Sequence, residues 1–139
     1  MVLHLFLQYL LSKLLSQSMK KKILIVDDEP NIVMSLEYTF KKQGFEVFIA
    51  RDGSEALEIL KHHTPNVILL DIMMPNVDGY QTLTFIKESE SLKHIKVVFL
   101  TAKNKVSDIE KGLKLGADKY LTKPFSVKKI VSEILELVT

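Results

Sequence analysis

The chain has 139 residues, 47% hydrophobic and 26% charged, which suits one globular domain with a proper core. Its net charge of +2 makes no case for nucleic acid or an anionic membrane surface, and Lys20-Lys21-Lys22 is the only lysine cluster. The absence of cysteine excludes disulfides and thiolate metal sites and permits a reducing compartment.

Residues 1–18 differ in kind from the rest of the chain. Leu, Val, Phe and Tyr dominate, while His4, Gln8, Ser12 and Ser16 recur every fourth residue, drawing one polar stripe along an otherwise apolar helix. The stretch is short for a membrane span, contains Lys13, and lacks the basic start and cleavage site of a secretory signal. Two readings stay open. Either it is a segment added ahead of a natural start at Met19, or it is an interfacial or self-associating helix.

From Lys22 the pattern is regular. Ile23 to Val26 reads as a buried strand ending in Asp27-Asp28-Glu29-Pro30, with Asp28 placed to cap the next helix and Pro30 in its first turn. Ile32, Val33, Leu36 and Phe40 give that helix a core face, and Gly44 stops it. A second strand runs from Phe45 to Ala50. Asp52-Gly53-Ser54 turns the chain into a second helix carrying Ala56, Leu57, Ile59 and Leu60, with His62-His63 at its solvated end. None of the four histidines has ligand spacing.

The third strand, residues 66–71, is a continuous apolar run that ends on Asp71. A third helix carries Leu83, Phe85 and Ile86, and Val97 to Thr101 is the fourth strand. Val106, Ile109, Leu113 and Leu115 mark a fourth helix, closed by Gly116. Lys119 to Thr122 is a short fifth strand before Lys123-Pro124, and Val127 to Val138 the last helix. Strands alternating with helices imply a parallel α/β sheet covered on both faces.

In such a sheet all carboxyl ends lie on one edge. There the strands deliver Asp27 and Asp28, Asp71, Thr101 and Lys123. Three gathered carboxylates ask for a cation, and oxygen ligands without His or Cys favour Mg²⁺. A hydroxyl and a lysine beside that metal are what phosphoryl transfer needs, and Asp can be its covalent acceptor.

DDEP after the first strand, DIMMPNxDG around Asp71, FLTA at Thr101 and GADKYLTKPF near the end resemble the receiver domain of two-component response regulators. The resemblance covers residues 20–139 and makes 19–139 the receiver domain beside the 1–18 extension. It implies a flavodoxin-like, doubly wound sheet of five parallel strands in the order 2-1-3-4-5. It further implies Asp71 as phosphoacceptor, with Mg²⁺ held by Asp27, Asp28, Asp71 and the backbone carbonyl of Met73. Thr101 and Lys123 would bind the phosphoryl group, Tyr120 would move inward with Thr101, and the Lys123-Pro124 bond would be cis. Met73 and Lys103 match the positions that line the path of the hydrolytic water.

The function these imply is a cytoplasmic signalling switch that accepts a phosphoryl group from a histidine kinase or phosphotransfer protein. It would then change the surface of its fourth helix, fifth strand and last helix. Such a domain is a signal module rather than an enzyme. Two alternatives stand beside it. A constitutive binding module would be expected to lack an acidic or lysine position, and here all are present. A Mg²⁺ phosphohydrolase would be expected to carry an Asp-x-Asp, which the sequence lacks. Output would run through a partner protein, or through an effector domain of a longer protein, without direct nucleic-acid contact by this domain. Regulators that dimerise through the fourth-helix face pair a basic residue of the last helix with an Asp near the fifth strand. Asp118 and Lys111 are present, but Ser132-Glu133 stand where that base is expected.

Overall fold

Apolar runs without a polar face must be covered on both sides, and helices supply the cover. The computed structural model describes residues 1–139, the side chains of residues 17 and 18 excepted. The strands are β1 (Lys22–Val26), β2 (Glu46–Ala50), β3 (Val67–Leu70), β4 (Lys96–Thr101) and β5 (Lys119–Thr122). They form one sheet of order β2-β1-β3-β4-β5 in which every neighbouring pair is parallel. The helices are α1 (Val2–Ser18), α2 (Pro30–Lys42), α3 (Gly53–Leu60), α4 (Gly79–Glu88), α5 (Val106–Lys114) and α6 (Val127–Val138). This is the expected flavodoxin-like arrangement.

Alternation along the strands builds two cores, because successive side chains point to opposite faces. Leu24, Val26, Ile68, Leu70, Val97 and Phe99 meet Ala56 and Leu60 of α3 and Leu83 and Ile86 of α4. Ile23, Ile25, Val67, Leu69, Val98 and Leu100 meet Leu36 and Phe40 of α2 and Ile130 and Ile134 of α6. Gly44 and Gly116 take positive φ just past α2 and α5, where the sequence placed the stops.

Two local expectations change. Asp28 does not cap α2: the cap position is Glu29, whose N–H is taken by the Asp27 carboxylate at 2.9 Å. The Asp52-Gly53-Ser54 turn is itself the start of α3, with Asp52 accepting from the Glu55 N–H at 2.9 Å. Val106 and Leu113, which mark α5, are both exposed, so this helix shows an apolar outer surface. Asp78 caps α4 through a reciprocal capping box with Gln81. Residues 1–16, Met1 and most of α1, are all exposed. Among the described residues no helix is long and apolar enough to cross a membrane.

Candidate functional site

The residue immediately after each apolar run stands on the carboxyl edge of the sheet, and the chain places a different group at each exit. β1 runs into Asp27, Asp28 and Glu29, β3 into Asp71, β4 ends on Thr101, and β5 leads to Lys123. Asp27, Asp28 and Asp71 each offer a carboxylate oxygen within 4.8 Å of the others. Asp27 and Asp71 are only 3% and 4% exposed, whereas Asp28 opens to solvent. With no nitrogen or sulfur donor in the set, it suits a hard, oxygen-preferring cation such as Mg²⁺.

Lys123 ties this edge together. Its Nζ donates to Asp27 Oδ2 at 2.8 Å, Glu29 Oε1 at 2.8 Å and Asp71 Oδ2 at 3.2 Å. The backbone holds it there: Thr101 pairs with Thr122 in the β4–β5 register, and the Lys123 N–H donates to the Thr101 carbonyl at 2.8 Å. The Lys123-Pro124 peptide is cis. The other Asp71 oxygen, Oδ1, accepts from the Met73 N–H at 3.2 Å, while the Met73 side chain lies exposed.

Burial pushes the Asp27 carboxyl above its ordinary value, and the bonds from Lys123 and the Glu29 N–H only partly offset this. For Lys123 burial works against the charge, but the carboxylates of Asp27 and Glu29 outweigh it and the pKa rises. The lysine is therefore cationic at neutral pH. A fixed positive charge beside a nearly enclosed carboxylate oxygen can stabilise negative charge gathering there.

Thr101 is fully buried, and its Oγ1 accepts from the Lys103 N–H at 3.4 Å. The Lys103 ammonium lies 3.8 Å from Asp108 of α5 and is engaged there. Tyr120, half-buried, donates its hydroxyl to the Lys103 carbonyl at 2.8 Å and packs its ring 5.6 Å from that of Phe99. Burial raises its phenol pKa, and the neighbouring Tyr80 and Asp108 add to the rise. One loop residue, Lys103, thus contacts both Thr101 and Tyr120 through its backbone. Glu29 is the participant that sequence reasoning passed over. Its signal was a third carboxylate directly behind Asp27-Asp28. Lys111 and Asp118 are engaged elsewhere: Lys111 lies over the Tyr80 ring at 4.2 Å, and Asp118 accepts from the Val97 N–H at 2.8 Å.

The family model described as the response regulator receiver domain matches residues 23–135. The chain belongs to this family. Similar solved structures include the receiver domain of the Francisella response regulator 1452, 32% identical with a TM-score of 0.79 over 86% of this chain and 97% of that one. Another is the signal receiver domain of a signal transduction histidine kinase from Syntrophus aciditrophicus, 31% identical with a TM-score of 0.79 over 85% and 89%. The chemotaxis response regulator CheY4 of Vibrio cholerae is 27% identical, with a TM-score of 0.80 over 85% and 98%. The protein is thus a receiver domain with the flavodoxin-like fold, and membership places it in two-component signalling.

Proposed function

We propose that this receiver domain is a phosphorylation switch in which Asp71 takes a phosphoryl group from a phosphohistidine of a histidine kinase or phosphotransfer protein. Mg²⁺ would be held by Asp27, Asp28, Asp71 and the Met73 backbone carbonyl, where it supplies positive charge against the phosphoryl oxygens. An Asp71 carboxylate oxygen bonds to phosphorus as the phosphorus–nitrogen bond breaks. The departing imidazole keeps that electron pair. Lys123 turns from its carboxylate partners to an oxygen of the arriving group, and the Thr101 hydroxyl donates to another. Movement of Thr101 alters the Lys103 loop, which releases the Tyr120 hydroxyl and changes the α5–β5–α6 surface read by a partner or effector domain.

What carries the reading is the convergence on Lys123 Nζ, 2.8 Å from Asp27 and 3.2 Å from Asp71, beside a third carboxylate open to solvent. The covalent change falls on the domain's own side chain, so it is a signal module rather than an enzyme with a separate substrate. It works in the cytoplasm, where the phosphohistidine is available. Lys119 on β5 pairs with Glu133 and Glu136 of α6, so this face carries acids where a basic partner for Asp118 would be needed to dimerise in the DNA-regulator manner. Incubation with acetyl phosphate and Mg²⁺ tests the reading by mass spectrometry. Wild type is expected to gain one acid-labile phosphate and Asp71→Asn none; an Asp71→Asn protein that still gained it would overturn the assignment.

A further inference from the structure

The net charge of +2 is an average over two unlike regions. Four of the 19 basic residues (Lys13, Lys20, Lys21 and Lys22) lie before Asp27, and none of the 17 acidic residues does. From Asp27 onward the chain is net negative. All of its excess positive charge therefore sits on α1, the short link after it and the first residue of β1.

That same region carries the largest apolar surface. Leu3, Leu5, Phe6, Tyr9, Leu11 and Leu14 are all more than half exposed, and at about 100° per residue they spread around most of the circumference of α1. Within residues 1–16 the polar residues are the stripe of His4, Gln8, Ser12 and Ser16, with Lys13 beside it. A second copy of the helix would cover one side of this surface and leave the rest in water. A lipid interface covers all of it except the stripe, which can face the headgroups. Seventeen residues span about 25 Å, short of a hydrocarbon core of about 30 Å, and Lys13 interrupts them; such a helix lies along the surface.

Position adds a third observation. α1 enters the sheet at β1's first residue, on the amino edge, opposite the carboxyl edge where Asp27, Asp28, Glu29 and Asp71 gather. Lys20, Lys21 and Lys22 make no ion pair among the described residues, whereas Lys61, Lys93 and Lys96 on the same edge are paired with Glu58, Glu90 and Asp118.

We propose that α1 with Lys20, Lys21 and Lys22 is an interfacial anchor for anionic phospholipid surfaces, one apolar helix plus one basic cluster, holding the acidic edge of the domain away from the bilayer. Two weak signals of this kind together give stable attachment where either alone does not. The acidic edge is repelled by the same lipids, which orients the domain.

The full chain should co-sediment with vesicles of phosphatidylcholine mixed with phosphatidylglycerol. It should bind at least tenfold less to phosphatidylcholine alone, and the difference should shrink as salt rises from about 0.1 M to about 1 M. Lys20→Glu/Lys21→Glu is expected to weaken binding to the anionic vesicles at least tenfold, and Leu7→Glu/Leu11→Glu to remove it. Thermal melts monitored by circular dichroism would check that both variants keep the domain folded. Equal binding to neutral and anionic vesicles overturns the proposal, as does wild-type binding by either variant. So does a dimer in light scattering that persists unbound beside anionic vesicles, which would assign α1 to a second copy.

Discussion

At the scale of single residues, Lys123 is the counter-ion on which the acidic edge depends. Its removal leaves two nearly enclosed carboxylates and Glu29 without their shared partner, and an uncompensated buried charge is among the costlier defects. Lys123→Met is therefore expected to lower stability in urea unfolding by about 3 kcal/mol without Mg²⁺, and added Mg²⁺ should recover part of the loss. On the proposed function, Met73 and Lys103 are the residues expected to set how long a phosphoryl group lasts. The exposed Met73 side chain has no donor to orient an attacking water, and Lys103 is engaged with Asp108. Loss of the acid-labile phosphate should be slow, and Met73→Asn should speed it several-fold; a wild type that is dephosphorylated within seconds would contradict this. Most of this site was readable from sequence, because each chemical group comes directly after an apolar run. Glu29 was passed over, although a third carboxylate stands directly behind Asp27-Asp28, because its partner lies 94 residues further on. Asp28 was misread as a cap because a local rule competed with Asp27, which already satisfies the Glu29 N–H.

At the scale of elements, β5 is the strand held least by burial, and α6 secures it through charge. Lys119 meets both Glu133 and Glu136, and the bond from Lys119 lowers the Glu133 pKa below its ordinary 4.5. A depressed carboxylate contributes stability that is present above pH 4.5 and lost as pH falls through the folded value. On acidification from about pH 5 to about pH 3, wild type should lose more stability than Glu133→Gln, read as the shift in melting temperature. α5 presents the opposite balance of effects at Gly112. Alanine there would gain about 1 kcal/mol of helix propensity. Its Cβ would lie 2.9 Å from Tyr120 Cδ2 and 3.1 Å from Phe99 Cδ2, a clash expected to cost about 1–3 kcal/mol. Gly112→Ala should thus destabilise the protein and displace the Tyr120 ring resonances. Helix propensity alone would count Gly112 as a weak point of the helix; the ring that needs the space belongs to the next strand. The strands and helices themselves were legible because buried runs and stop residues are local signals. The exposure of Val106 and Leu113 was not, because periodicity finds an apolar position without saying what covers it.

At the scale of the whole molecule, the alternation of strands and helices and the order of chemical groups were enough to place Asp27, Asp28, Asp71, Thr101 and Lys123 on one edge. The sequence could not say that α1 would stand apart, since an apolar helix reads the same whether or not it is packed. The sheet order also has a consequence in time. Asp71 directly follows β3, near the middle of the chain, while Lys123 comes after β5, an edge strand paired only with β4, and the two are 52 residues apart. At about 5–20 residues per second, a ribosome makes Asp71 about 3–10 s before Lys123. During that interval the acidic residues are already present without the cation that gathers them. On the proposed function, a protein being synthesised would be deaf to its phosphodonor, and would become receptive only once its last strand had joined the sheet.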